Sequence, residues 1–170
     1  MPLYQVQRNK MSKYRIGSAY DVHRLEKGNG FVIGGEYINC EFKTIAHSDG
    51  DVVYHALSEA IFGSLALGDL GKYFPPSDPS LKDMNSARIL EFAKAKLEEN
   101  GYKISNVDVS IILERPKLKD HIDDMRKNVA RVLDIDLDDV SIKAGTNEKL
   151  DSLGESRGVG AFASVLIYRL

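Results

Sequence analysis

Val107-Asp108-Val109-Ser110-Ile111-Ile112-Leu113 is followed by Ile122, Met125, Val129, Val132 and Leu133 on one stripe, and then by Val140-Ser141-Ile142-Lys143-Ala144. The first run is short, apolar and rich in β-branched residues, which suits a central strand. The middle set repeats at helical spacing. The last run reads as another strand. Helices lying between separated strands imply an α+β chain: a mixed sheet with helices packed on one face.

Working outward, Tyr14 to Val22 reads as a first strand, and Val159 to Tyr168 as the last. Phe31-Val32-Ile33 and Tyr37-Ile38 flank Gly34-Gly35, a hairpin signal. Ser48 or Asp49 is placed to cap a helix that runs to about Leu67, with Gly68 as its terminator. Gly68 to Pro79 contains two glycines, Gly68 and Gly71, and three prolines, Pro75, Pro76 and Pro79, and reads as a shaped surface loop. A second helix starts near Asp83, buries Ile89, Leu90, Ala93 and Leu97, and ends at Asn100-Gly101. The expected order is β, β-hairpin, α, α, β, α, β, β. There is no repeat or low-complexity linker, so residues 14–170 read as a single domain. Residues 1–13 carry Arg8, Lys10 and Lys13 without an acid, and read as a disordered N-terminal extension, such as the trimmed end of a transit peptide.

The 170 residues can bury about two-thirds of their unfolded surface. Apolar content of 43% and charged content of 28% are ordinary for a soluble protein. A net charge of -2 argues against nucleic-acid binding through bulk positive charge. No apolar run approaches the roughly 20 residues of a membrane span. Cys40 stands alone, so neither an internal disulfide nor a thiolate metal cluster is available.

Three of the four histidines lie in Asp21-Val22-His23 and in His47-Ser48-Asp49-Gly50-Asp51-Val52-Val53-Tyr54-His55. On a strand, Asp21 and His23 point to the same face, and His55 can join them from the following helix. One carboxylate and two imidazoles form a three-ligand zinc set with an open fourth position, the pattern of a catalytic site. A lone strand or helix histidine is more often simply packed; the combination argues for metal. Asp51 and Glu59 lie one turn either side of His55 and are placed to orient its second ring nitrogen. His47-Ser48, at a helix N-terminus, suits an anion, although simple capping explains it equally well. Glu148 offers oxygen to a second cation, as magnesium prefers. Pro116-Lys117-Leu118-Lys119 follows a central strand, where ligands gather, but a basic pair is also an ordinary solvated surface. His121 has no partner in sequence.

Four blocks then carry a resemblance. They are Arg15-Ile16-Gly17 through His23, His47-Ser48-Asp49-Gly50-Asp51 through Leu57, Gly68-Asp69-Leu70-Gly71-Lys72-Tyr73-Phe74-Pro75, and Thr146-Asn147-Glu148-Lys149-Leu150. In order and interval they resemble the 2-C-methyl-D-erythritol 2,4-cyclodiphosphate synthases, phosphorus-oxygen lyases of the non-mevalonate isoprenoid pathway. The resemblance implies one zinc per subunit on Asp21, His23 and His55. It implies phosphate contacts from His47 and Ser48, and a catalytic pair of His47 and Thr146. A magnesium or manganese ion on the substrate diphosphate would be held by Glu148, beside Asn147. Asp69, Leu70, Gly71, Phe74, Ser77 and Asp78 would lie near the erythritol part. Leu113, Lys117, Leu118 and Lys119, with Ala144 and Gly145, would form a cytidine pocket. Asp21 and His23 would also meet the substrate.

The same resemblance implies a homotrimer with its sheets toward the threefold axis and active sites between subunits, a cytidine diphosphate substrate, and neither nucleic acid nor membrane as partner. It implies a soluble enzyme of bacterial cytoplasm or of a plastid or apicoplast stroma. Glu59 departs from an aspartate and Gly145 from a common threonine, and the charge order Glu155 then Arg157 differs from members that line a central trimer cavity with phenylalanine and arginine. Two other readings stay open: a zinc-dependent phosphohydrolase, for which a second His-rich cluster is missing, and a nucleotide-binding or isoprenoid-sensing module with a structural metal.

Overall fold

The computed structural model describes residues 13–75 and 77–169. The expected N-terminal extension lies, apart from Lys13, outside the described residues. Strands β1 (Tyr14–Lys27), β2 (Phe31–Ile33), β3 (Glu36–Ile38) and β4 (Phe42–Ile45) come first, then helix α1 (Val52–Ser64). Helix α2 (Ala87–Glu99), strand β5 (Lys103–Ile112), helix α3 (Ile122–Leu133), strand β6 (Val140–Gly145), a single turn α4 (Asp151–Gly154) and strand β7 (Gly158–Tyr168) complete the chain.

The main sheet has the order β4-β1-β7-β5-β6. Only β5 and β6 run parallel, joined through α3; the other pairs are antiparallel. Parallel neighbours need a crossover, and α3 supplies it. This is the mixed sheet expected, a single-domain α+β fold. Strands β2 and β3 pair separately as a hairpin around Gly34-Gly35, both with positive φ.

Alternation along the strands makes the sheet one-sided. Val107, Val109 and Ile111 of β5 are buried, as are Val159, Ala161, Ala163, Val165 and Ile167 of β7. These pack under α1, whose Val53, Ala56, Leu57, Ala60 and Ile61 are fully buried. The opposite face is open and apolar: Ile16, Tyr20, Val22 and Phe162 are all exposed there. Gly17, on the covered face of β1, lets α1 press close, since a Cβ at that position would stand 1.8 Å from the Ala60 carbonyl oxygen.

Several boundaries differ from expectation. Helix α1 is capped by Asp51 rather than Ser48 or Asp49; its side chain accepts from the backbone N–H of Val53 and Tyr54. The helix stops at Ser64, because Ala66 takes a left-handed backbone (φ 58°) well before Gly68. Helix α2 starts at Ala87 rather than near Asp83, since Asp83 takes a left-handed backbone (φ 57°) that a right-handed helix does not contain. Strand β4 had no alternating apolar pattern strong enough to mark it; it exists because β1 runs on to Lys27 and offers an edge. Among the described residues no helix is long and apolar enough to cross a membrane.

Candidate metal centre and substrate clefts

Asp21 and His23 occupy odd positions of β1 and therefore face α1, as Gly17 does. His55 comes down from the first turn of α1 and is 7% exposed. Three side-chain atoms converge. His23 Nε2 lies 2.9 Å from His55 Nδ1, and Asp21 Oδ2 lies 3.1 Å from each. Zinc bonds of 2.0–2.2 Å in a tetrahedron place donor atoms roughly 3.3–3.5 Å apart. The observed triangle is about half an ångström or less short of that spacing, so the three groups would hold a divalent cation. The charges agree: a carboxylate and two imidazole lone pairs suit a divalent cation. Burial alone would raise the Asp21 carboxyl, but the hydrogen bond from His23 and the neighbouring His55 imidazole outweigh it and hold the group well below the usual carboxylate range.

The second nitrogen of His55 is held differently from expectation. Its Nε2 meets Ser86 Oγ at 2.8 Å and Ser48 Oγ at 3.0 Å, not Asp51 or Glu59. Asp51 is fully buried, and its carboxylate takes N–H bonds from Gly34 (2.8 Å), Gly35 (2.7 Å), Val53 and Tyr54. Those last two are the first-turn amides that an anion at His47-Ser48 was expected to use, so the helix terminus is already filled. Ser86 was not foreseen. It lies 31 positions from His55, and no periodicity links them.

A cleft of about 210 Å³ opens over this centre, walled by His47, Ser48, Glu59, Leu70, Phe74 and Met84. His47 Nε2 lies 3.1 Å from the Asp78 carbonyl oxygen, which ties the 47–49 turn to the 68–81 loop. That loop is pinned by aromatics, with Tyr73 and Phe74 rings 5.5 Å and 5.3 Å from Phe92. Asp69 caps the 3-10 turn Leu70–Lys72 through the Lys72 N–H. Gly71 and Ser77 are exposed, and Asp78 accepts from the Ser80 N–H and hydroxyl.

A separate cleft of about 370 Å³ gathers Leu113, Lys117, Leu118, Lys119, Ala144 and Gly145, together with Thr146. The parallel pairing of β5 with β6 causes this, since it brings both C-terminal strand ends to one edge. Thr146 Oγ1 donates to Glu148 Oε1 at 3.0 Å, and Asn147 Nδ2 to Asp151 Oδ2 at 2.8 Å. Glu148 and Lys149 both take left-handed backbone angles, φ 51° and 63°, which cost about 1–3 kcal/mol each for residues bearing a Cβ. His121 has a partner after all in Glu36, 3.6 Å away on the hairpin. Within one chain most of the predicted residues line one or other of the two clefts, while Asp69, Gly71, Ser77, Asp78, Asn147 and Glu148 line neither.

Comparison with known proteins identifies the relatives of the chain. The family model described as the YgbB family matches residues 14–168. The 2-C-methyl-D-erythritol 2,4-cyclodiphosphate synthase of Xanthomonas axonopodis pv. citri is 45% identical over 157 residues, covering 92% of this chain and 95% of the relative. The bifunctional enzyme IspD/IspF of Wolbachia sp. subsp. Brugia malayi is 46% identical, with 93% of this chain covered; the chain spans only 40% of that protein's length. Among solved structures, the IspF of Plasmodium falciparum in complex with CDP superimposes with a TM-score of 0.83 at 33% identity, covering 94% of this chain and 99% of that one. With a match that extends over nearly its whole length, the chain belongs to the YgbB family.

Proposed function

We propose that residues 14–170 form a metal-dependent cyclising lyase. It converts 4-diphosphocytidyl-2-C-methyl-D-erythritol 2-phosphate to 2-C-methyl-D-erythritol 2,4-cyclodiphosphate and CMP, in the non-mevalonate route to isoprenoid precursors. The observation that carries this reading is the donor triangle of Asp21, His23 and His55, open on its fourth side to a cleft that also contains His47 and Ser48.

In the reaction an oxygen of the 2-phosphate bonds to the β-phosphorus while the β-phosphorus–oxygen bond to CMP breaks. The nucleophile is already an anion, so no strong base is required; the obstacle is repulsion and alignment. Zinc on the three ligands would supply positive charge to the phosphates, and a magnesium or manganese ion at Glu148 would do so on the diphosphate. His47 and Ser48 hold the phosphate that faces the metal centre. The Thr146 hydroxyl stabilises charge as the bond order shifts, and Lys117 and Lys119 neutralise the nucleotide phosphates. Leu113, Leu118, Ala144 and Gly145 form the cytidine floor. Asp69, Leu70, Gly71 and Phe74, with Ser77 and Asp78 farther along the loop, enclose the erythritol. Fixing a flexible chain in a near-attack shape contributes up to about 7–11 kcal/mol in favourable intramolecular cases.

The homotrimer belongs to the same proposal. The metal cleft and the nucleotide cleft are separate in one chain, and the open sheet face exposes Ile16, Tyr20, Val22 and Phe162. Packing three such faces about a threefold axis would cover that surface and bring the nucleotide cleft of one subunit to the metal cleft of its neighbour. The test is turnover of the diphosphocytidyl substrate with zinc and magnesium, followed by phosphorus NMR. Equal yields of CMP and cyclic diphosphate are expected. Inorganic phosphate would indicate a phosphohydrolase instead, and no turnover a binding module.

A further inference from the structure

Ser86 stands at the start of α2 with helical backbone angles, and the capping there is done by its neighbour: Asn85 Oδ1 accepts the Ala87 N–H at 2.8 Å. The Ser86 hydroxyl makes no capping bond. The side chain is fully buried, and its hydroxyl turns inward to three partners: Asp49 Oδ1, His55 Nε2 at 2.8 Å and Ser48 Oγ at 3.4 Å. Asp49 grips the same residue a second time, since its Oδ2 accepts the Ser86 backbone N–H at 3.0 Å.

Proton counting assigns the direction of this chain. A carboxylate only accepts, and a serine hydroxyl has one proton. Asp49 therefore takes that proton, and Ser86 Oγ presents a lone pair to His55 Nε2. A bare Nε2 would oppose that lone pair at 2.8 Å, so Nε2 carries the imidazole proton. Ser48 Oγ, which accepts the Gly50 N–H at 3.2 Å, can share the proton of Nε2 from its own 3.0 Å. The opposite nitrogen, Nδ1, then has its lone pair turned into the triad, where the His23 Nε2–H, 2.9 Å away, can donate to it and where a cation would sit between it and Asp21 Oδ2, 3.1 Å away.

We infer that Ser86, backed by Asp49, is a positioning residue that fixes the tautomer and ring orientation of His55 so that its Nδ1 is ready to ligate. Replacing an outer partner of this sort typically costs about 10–100-fold in metal affinity. The chain also spans three segments, the 47–51 turn, α1 and the start of α2.

The inference rests on the reading of the triad as a zinc centre, and the experiment separates the two. Nitrogen-15 NMR of the metal-free protein reports the His55 tautomer directly, and competition with a chromophoric chelator reports zinc affinity. The wild-type protein is expected to show the Nε2–H form. Ser86→Ala should lose that preference and bind zinc about 10–100-fold more weakly, with a melting temperature close to wild type. Asp49→Asn should weaken zinc binding in the same direction, and the double variant should be no weaker than the worse single one, because the two residues act through one chain. An Nδ1–H tautomer in the wild type overturns the inference, as does wild-type zinc affinity in a folded Ser86→Ala, or losses that simply add. Failure of the wild type to take zinc would sink the metal reading, while the tautomer still decides the role of Ser86.

Discussion

His55 shows how much one side chain carries in this protein. Its Nδ1 completes the donor triangle and its Nε2 is tied to two hydroxyls. Replacing it by alanine removes one of three protein ligands. We expect zinc content, measured by atomic absorption after dialysis, to fall in parallel with turnover in His55→Ala; full activity in a zinc-free variant would defeat the metal role. Asp21 gives a pH signature in the metal-free protein. Its carboxyl is held below its ordinary value of 3.8, so its contribution to stability is fully present above that pH and is lost as the pH falls through the lower folded value. Asp21→Asn should therefore narrow the difference in melting temperature between pH 7 and the acid range below 3.8, measured in chelator. The triad was legible in sequence because strand alternation places Asp21 and His23 on one face. Ser86 was not, because only the approach of α2 to α1 brings it to the ring.

Two contacts between elements set the site's geometry. Gly17 lets α1 (Val52–Ser64) lie directly on β1 (Tyr14–Lys27), and the obstructing atoms are backbone: the Ala60 carbonyl oxygen and, at 2.7 Å, the Ser64 nitrogen. Gly17→Ala cannot be relieved by a side-chain rotation. It should cost about 1–3 kcal/mol or more by chemical denaturation, and it should weaken zinc binding because the helix bearing His55 must shift from the strand bearing His23. Asp51 ties the Gly34-Gly35 turn to the start of the same helix through four N–H bonds. In Asp51→Asn one acceptor becomes a donor facing buried donors. A loss of roughly 2–4 kcal/mol is expected in thermal unfolding, larger than for an ordinary cap replacement of about 1 kcal/mol. The hairpin and α1 were each readable from local pattern. Their junction was not: Asp51 looked like a neighbour of His55 at helical spacing, and its burial beneath the hairpin turn redirected it.

At the scale of the whole molecule, the sheet has one face under helices and one face bare, with Phe162 51% exposed and stacked on Tyr20 at 4.4 Å between centroids. Burying a side chain of that size contributes about 1.5–3 kcal/mol per subunit. Native mass spectrometry should give three times the chain mass for the wild type, and a monomer for Phe162→Asp. The variant should still bind zinc while losing turnover, because the nucleotide and metal clefts would no longer meet; turnover by a proven monomer would overturn the shared site. What the sequence determined by itself was periodic or compositional: most of the strands and helices, their one-sided packing, and the grouping of Asp21, His23 and His55 as a candidate metal-ligand set. Those follow from side-chain spacing, which is written in the chain. The tertiary structure alone decided which nitrogen of His55 faces Asp21 and His23, that Asp51 is spent on a junction, that Ser86 turns inward, and that the metal-ligand set and the Leu113–Thr146 edge lie in separate clefts. Each of these depends on the approach of segments distant in sequence, where burial and hydrogen-bond satisfaction outweigh local preference.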